Sequence, residues 1–385
     1  MNQNKNQVIP LSKPYLSPKV AENISQVLSS GKLSGDGAFC QKVEKRLAKL
    51  LNSKHALLTT SCTHALEMSL MLLNAQPGDE VIVPSFTFTS SANSILMAGL
   101  KPVFCEINPE SMNMDMVDVA RKITNRTKAI MPVHYAGVSC HMDELFAICE
   151  GKNIKIIEDA AQGIGAKWKD QYLGTIGHMG CLSFHDTKNI ICGEGGLFVT
   201  NDDELAEKAR IIREKGTNRS QFLRGVVDKY TWLQKGSSYI LAEPLAAILD
   251  AQLDDMDEIH IKRGSIYQFY LQELSTLAKK GVLKLPIINE FCTPNFHLFH
   301  ILLMTEDHRN SLMQHLRSKN IQAAFHYIPL HTSPCGESLG NKKGDLPETE
   351  EYAGRLLRLP LYPDLTMDEC FRVVNEIMAW EIMQS

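Results

Sequence analysis

Along the first two-thirds of the chain, short apolar runs alternate with stretches whose apolar positions recur at helical spacing. Ala56 to Thr60 reads as a strand, and Thr63 to Leu73 as the helix it feeds. Glu80 to Pro84 is a second strand, followed by a helix from about Ser90 to Ala98. Pro102 to Ile107, Ala129 to His134 and Ile154 to Asp159 read as three more buried strands, separated by helices near Met116–Ile123 and Met142–Gly151. This βαβα rhythm predicts an α/β fold, with a mainly parallel sheet covered on both faces. A denser β stretch follows at Gly180 to His185 and Gly196 to Asn201, and then a helix from Asp203 to Lys215.

The pattern changes near Glu243. A long amphipathic helical segment runs through Ala251 and Ile259 towards Leu274. Behind it come a strand at His297–Met304, a helix at Arg309–Lys319, a strand at Ala323–Tyr327, and helices at Glu350–Leu357 and Met367–Met378. Gly336 to Pro347 is polar and loop-like. The expected division is a large domain over residues 1–250, including an N-terminal arm, and a smaller α+β domain over residues 251–385.

Length supports two domains, because 385 residues exceed what one core usually serves. Charge narrows the partners. A formal net charge of −4 without a long basic run excludes the electrostatic footprint of a nucleic-acid binder. The polar start, Met1 to Pro10, is unlike a signal peptide, and no apolar run approaches the ~20 residues of a membrane span. The expectation is a soluble cytoplasmic protein with no nucleic-acid or membrane partner. The cysteines, ten in all, show no C-x-x-C pair and no zinc spacing. They read as small buried hydrophobes in a reducing compartment, and no metal site is expected.

Chemistry gathers where ligands collect in such sheets, beyond the carboxyl ends of the strands. Ser61-Cys62-Thr63 ends one strand and opens a helix, which suits a phosphate; a plain Ser/Thr cap is the alternative. Glu158-Asp159-Ala160-Ala161-Gln162 follows the apolar strand Ile154–Ile157, and a buried carboxylate there needs a partner. A pyridinium nitrogen would serve, as would a metal or a helix N-terminus. Ser183-Phe184-His185-Asp186-Thr187-Lys188-Asn189 runs into Gly193-Glu194-Gly195-Gly196, where missing side chains let a ligand come close to Lys188. A Schiff-base lysine must be partly neutral, through desolvation or nearby cations; otherwise Lys188 is a surface lysine before a loop. Phe88 could stack on a flat ring or belong to the core. His326-Tyr327 and His331 form a second polar and aromatic cluster with poor metal spacing. Phosphate loop, stacking aromatic, buried aspartate, serine and lysine, in that order, suit the wrapping of one cofactor.

The sequence resembles the sugar-nucleotide aminotransferases of the DegT/DnrJ/EryC1/StrS family, a branch of the aspartate-aminotransferase-like (fold type I) enzymes that use pyridoxal 5'-phosphate (PLP). The likeness runs from about Ser12 to the C-terminus. It rests on Gly31–Gly37 (GKLSGDG), Gly78–Val81 with Pro84–Phe88, Glu158–Gln162 and Ser183–Lys188. It implies that Lys188 carries PLP and shuttles the proton, that Asp159 pairs with the pyridine nitrogen, and that Gln162 lies near the ring hydroxyl. Phe88 would stack on the ring, while Cys62, Thr63 and Ser183 hold the phosphate. His185, Arg219, His326 and His331 would bind substrate.

The resemblance further implies a homodimer or higher homo-oligomer. Its reaction would move an amino group from L-glutamate to C4 of dTDP-4-keto-6-deoxy-D-glucose. The products would be dTDP-4-amino-4,6-dideoxy-D-galactose, rather than its gluco epimer, and 2-oxoglutarate. C4-acting relatives commonly carry Ser-Phe-His before the lysine, as Ser183-Phe184-His185 does here. A PLP sugar dehydratase of the same fold is the rival, but that class has histidine where Lys188 stands. One departure matters. Many members carry Tyr-Asn-Leu-Thr-Asp before the long helix, the asparagine reaching the neighbouring subunit's cofactor phosphate. Here the run is Tyr239-Ile240-Leu241-Ala242-Glu243, and Ile240 cannot donate that bond. Ser237, Ser238 or the Arg219 segment is left as the substitute.

Overall fold

The computed structural model describes residues 7–384. The first five strands are β1 (His55–Thr59), β2 (Glu80–Pro84), β3 (Lys101–Cys105), β4 (Thr127–Ile130) and β5 (Lys155–Asp159). A short hairpin, β6 (Lys167–Trp168) and β7 (Gln171–Tyr172), precedes β8 (Met179–Ser183) and β9 (Gly196–Thr200). Seven of these form one sheet in the order β1-β9-β8-β5-β4-β2-β3. Only β9 runs against the others. Every residue of β2, β8 and β9 is buried.

Alternate side chains of each strand enter alternate cores, as the pleat demands. Leu58, Ile82, Ile130, Ile156 and Leu182 join one. Leu57, Val81, Val83, Ile157 and Phe198 join the other. The near-continuous apolar runs are therefore needed by a sheet covered on both faces.

A second unit holds β10 (Leu283–Lys284), β12 (Phe299–Leu303) and β13 (Leu356–Leu359), antiparallel in the order β10-β12-β13. The remaining strand, β11 (Cys292–Thr293), pairs with β6. The second unit's core includes Tyr270, Phe299, Ile301, Leu357, Val373 and Trp380. One helix serves both units. In Met256–Glu273, Met256 and Ile259 pack into the large-sheet core, while Ile266, Tyr267 and Tyr270 pack into the second. The N-terminal arm also crosses over. Ile9 bridges Ile321 and is buried in the second core, and Leu361 N–H donates to Leu11 O at 3.2 Å.

The structure departs from the sequence pattern at particular places. The long helical segment is two helices, Glu243–Asp254 and Met256–Glu273, parted at Asp255. Ala323–Tyr327 is not a strand; Ala324 makes one isolated bridge, to Arg358. The edge strand is β13, directly after the helix Pro347–Arg355 and within the run read as that helix's end. The stretch Ala129–His134 leaves the ladder at Ile130 and turns through Tyr135–Gly137, with Ala136 at φ 60° and Gly137 at φ 75°. A Cβ at Gly137 would stand 1.9 Å from Asn295 Oδ1, so the backbones meet there only because that residue is glycine. Part of the polar loop near Gly336 is a short helix, Pro334–Ser338.

Val20–Ser30 and Ala38–Leu50 form two further helices near the N-terminus. The N-terminus of Ala38–Leu50 is held by Glu243, whose carboxylate accepts the N–H groups of Gly37, Phe39 and Cys40, each at 2.9 Å. Gly37 leaves the room: a Cβ there would sit 2.5 Å from the Glu243 carboxyl carbon. Glu243 is buried, so removing its carboxylate strands three donors where water cannot replace it. Glu243→Ala is therefore expected to lower unfolding free energy by about 2–4 kcal/mol. Urea denaturation checks this, and a loss below about 0.5 kcal/mol would show that the cap carries no weight.

Candidate active site

A cavity of about 710 Å³ opens beyond the carboxyl ends of β1, β2, β5 and β8. Cys62, Thr63, Phe88, Asp159, Gln162, Ser183, His185, Lys188 and His326, all singled out from sequence, line it. The second unit closes the opposite wall with His297, Phe325, Tyr327 and Arg358, and the arm contributes Ser12 and Lys13.

The first wall is a helix N-terminus. Ser61 caps the helix Cys62–Met71 by accepting the His64 N–H at 3.1 Å, so the plain capping role holds for this serine. The amides of Cys62 and Thr63 come before the first intrahelical bond and stand at the cavity, where donors and dipole favour an anion. Thr63 Oγ1 donates to Ser90 Oγ at 2.8 Å. This geometry depends on Gly196, whose hypothetical Cβ would stand 2.3–2.4 Å from the Ser61–Cys62 peptide atoms. Only a glycine lets β9 press so closely on the helix N-terminus.

The floor is the end of β5. Glu158 and Asp159 point to opposite sides, and their roles differ. Glu158 is fully buried and saturated: it accepts the N–H groups of Gly174 at 2.8 Å, Ile176 at 2.7 Å and Gly177 at 2.6 Å, and faces His134 Nε2 at 2.9 Å. The Cys140 N–H is directed to His134 Nδ1 at 3.2 Å, so that nitrogen accepts and Nε2 carries the proton given to Glu158. Asp159 faces the cavity. Oδ2 accepts the Ser91 hydroxyl at 2.7 Å, and among the described residues Oδ1 has only the Ala161 N–H, at 3.2 Å. Burial raises this carboxyl above its ordinary range, with the Ser91 and Ala161 donors pulling the other way.

Lys188 follows β8 and is half-buried. Desolvation pulls its amine below the ordinary lysine range, against the opposing pull of Cys62 and Asp159. Among the described residues, its Nζ has no hydrogen-bond or salt-bridge partner. An amine so placed loses its proton more readily than a surface lysine, as a nucleophile must. Phe86 and Phe88, two residues apart, separate cleanly. Phe86 is buried against Tyr135, while Phe88 is 59% exposed and turned to the cavity. Gln162 Oε1 accepts the Ala136 N–H at 2.7 Å, and its Nε2 donates to Tyr327 OH at 3.0 Å. His326 stacks on Tyr327, their centroids 3.7 Å apart, with Nδ1 3.0 Å from Tyr135 OH. Burial pushes His326 down to about 2, which keeps the ring neutral.

Two residues expected to bind substrate, His331 and Arg219, do not line this cavity. His331 is fully buried behind the wall, with Nδ1 2.7 Å from Ser85 Oγ and Nε2 2.9 Å from Glu350, so both ring nitrogens are occupied. It fastens the end of β2 to the second unit. Arg219 pairs with Glu214 at 3.3 Å and lies outside the cavity of its own chain. Ser237 and Ser238 are exposed and also outside it. Arg358, His297 and Ser91 were not foreseen: each joins the site through tertiary folding rather than a local motif.

The model of the DegT/DnrJ/EryC1/StrS aminotransferase family matches residues 14–378. The chain belongs to this family. It is 32% identical over 392 residues to the spore coat polysaccharide biosynthesis protein SpsC of Bacillus subtilis, covering 98% of each chain. The aminotransferase TlmJ from Streptoalloteichus hindustanus superimposes with a TM-score of 0.91 at 28% identity, over 98% of this chain and all of that one. Spr1654 from Streptococcus pneumoniae, solved in a PLP form, does so at 0.89 and 25% identity, over 97% and 98%. The family's fold type I architecture is the one described above.

The cavity suits that cofactor on its own chemistry. It offers an anion site at a helix N-terminus, an exposed phenyl face, a spare lone pair on a buried carboxylate and an unpaired, desolvated amine. All ten cysteines are free, and no grouping of metal ligands occurs among the described residues. No helix among the described residues is long and apolar enough to cross a membrane.

Proposed function

We propose that the protein is a PLP-dependent aminotransferase that moves the amino group of L-glutamate to C4 of dTDP-4-keto-6-deoxy-D-glucose. The products are 2-oxoglutarate and dTDP-4-amino-4,6-dideoxy-D-galactose, the latter destined for a surface glycan. The observation that carries this reading is the convergence of Lys188, Asp159 and Phe88 in one cavity of a chain that belongs to an aminotransferase family. The polysaccharide role named for SpsC supports a sugar as acceptor. The run Ser183-Phe184-His185 favours C4, and His185 and His326 line the cavity, as residues that meet a sugar would.

PLP, when bound, supplies an electron sink that lets a carbon beside the transferred nitrogen lose or gain a proton. The chain's residues direct the rest. Lys188 would hold the cofactor covalently, and its amine, neutral when free, would carry a proton between the reacting carbons. Asp159 Oδ1 would keep the pyridine nitrogen protonated, and that partner would offset the cost of burying the carboxylate. Cys62, Thr63 and Ser183 would hold the phosphate, and Phe88 would support the ring. Lys188 is tethered on one side, so it delivers a proton to a single face of the sugar's C4. Which face is presented decides between galacto and gluco products. The intact Lys188 favours transamination over the dehydratase reading.

The same reading includes a homodimer. Phe222, Leu223, Tyr230, Trp232 and Leu233 are exposed on the segment that holds Arg219, more apolar surface than a lone chain usually leaves in water. In this arrangement the segment reaches the partner's cavity and takes over the contact that Ile240 cannot make. Sedimentation at working concentration is expected to give a dimer or larger species, and a fully active monomer contradicts it.

Incubation with L-glutamate and dTDP-4-keto-6-deoxy-D-glucose is expected to give a 4-amino sugar with a small H3–H4 coupling by NMR, the mark of an axial amine. A large coupling refutes the galacto product, and amination at C3 refutes the whole assignment. Lys188→Ala is expected to abolish turnover while still binding the cofactor. Near wild-type transamination by that variant would remove the central role given to this lysine.

A further inference from the structure

The N-terminal arm passes the cavity as a strap held at both ends. On one side Ile9 lies in the second core; its N–H donates to Asn320 O and its carbonyl accepts the Gln322 N–H, both at 2.9 Å. Leu11 adds two bonds of 3.2 Å, its N–H donating to Gln322 Oε1 and its carbonyl accepting the Leu361 N–H. On the other side Tyr15 packs against the large-sheet core. Its hydroxyl donates to Asp255 Oδ2 at 3.2 Å, and its carbonyl accepts Gln252 Nε2 at 2.6 Å. Between these anchors Ser12 and Lys13 line the cavity, and both are exposed, which places them at its rim. Pro14 fixes its own φ and disfavours helical backbone at Lys13, so the strap does not coil up. Among the described residues, the Lys13 amine has no hydrogen-bond or salt-bridge partner. Lys19, on the same arm, is paired with Asp254 at 2.7 Å. The large unit's share of the rim is acidic: Asp186 and Glu194 line the cavity and are exposed, Glu194 standing 3.6 Å from His185 Nε2.

We propose that Lys13 binds the diphosphate of the nucleotide-linked acceptor at the cavity mouth. The assignment rests on the reading of the acceptor as a sugar nucleotide, and names the residue that anchors that substrate's far end. Charge placement separates this anion from the cofactor's phosphate, which belongs to the helix N-terminus at Cys62 and Thr63. The cavity's arginines are engaged or lie at the reacting end. Arg263 donates Nε to Phe296 O at 2.9 Å and Nη2 to His297 O, while the charge of Arg358 is felt at Lys188. With C4 presented to Lys188, a diphosphate on C1 points across the sugar ring, away from that lysine and towards the open rim. There Asp186 and Glu194 repel it and Lys13 attracts it, so the nucleotide leaves the cavity along the arm. Anchoring the strap on both cores holds the amine beside this path, at less cost in ordering than a free tail would carry.

The test is calorimetric titration of the PLP-loaded enzyme with dTDP and with thymidine, which has no phosphate, comparing wild type, K13Q, K13E and K13R. At low salt K13Q is expected to weaken dTDP ~10-fold and to leave thymidine nearly unchanged. K13E is expected to weaken dTDP further, since it adds repulsion, and K13R to keep most of the affinity, since it keeps the charge. The gap between wild type and K13Q is expected to narrow at high salt, as screening of an exposed charge requires. The proposal is overturned if K13Q binds dTDP within about two-fold of wild type at low salt. It is equally overturned if thymidine weakens as much as dTDP, because the change would then act through the shape of the strap and not through charge. A wild-type enzyme that binds neither probe overturns the sugar-nucleotide reading, and this assignment with it. Loss of dTDP affinity in K13Q alone, with thymidine retained, is the result that supports Lys13.

Discussion

A carboxylate at the buried end of a strand, with one oxygen incompletely satisfied, is the constraint around which this molecule is organised. Asp159 cannot stay charged in an apolar setting without a partner, and among the described residues the fold supplies only Ser91 and the Ala161 N–H. Its neighbour on the strand shows the contrast. Glu158 faces away, meets three backbone N–H groups and a histidine, and is finished as a structural group. Asp159 is left incomplete on the side that faces Lys188 and Phe88. An incompletely satisfied carboxylate, an unpaired amine and an exposed ring are each unfavourable alone. Together they describe the surface of a flat cationic ligand, which would lower the cost of all three.

Holding these groups in register requires backbones to approach more closely than side chains allow. Gly196 lets β9 press on the helix that offers Cys62 and Thr63, and Gly137 lets the turn after β4 meet Asn295. Asn295 in turn donates to the carbonyls of Gln162 and Ile164 at 2.8 and 2.9 Å, tying the loop after β5 to the second unit. The cavity is thus a joint between two cores. The helix Met256–Glu273 and the crossing arm with Ile9 fix how those cores meet. The two walls of the cavity are therefore held by the same packing.

The large sheet was legible because its strands are buried on both faces, which leaves apolar runs that no surface helix needs. The motifs at strand ends were legible for a related reason: each is local in sequence, and topology alone brings local motifs at β1, β2, β5 and β8 to one edge. Elements set by tertiary contact were harder to read. β13 carries the run Leu356-Leu357-Arg358-Leu359 directly after a short helix, and nothing local marks where helix gives way to strand. Arg358, which lines the cavity, was overlooked for that reason. The burial of His331 behind the cavity wall was illegible for the opposite reason. A histidine beside aromatic residues suggests a ligand, but its two ring partners, Ser85 and Glu350, are distant in sequence and visible only in the fold.

The central claim is that Lys188, and no other of the chain's lysines, holds the cofactor. It is tested most directly by reducing the PLP-loaded protein with borohydride, digesting it and locating the modified residue by mass spectrometry. The account predicts a stable pyridoxyl-phosphate adduct on Lys188, in the peptide that carries Ser183-Phe184-His185. An adduct on another lysine, or no adduct from protein that has bound PLP, would contradict it.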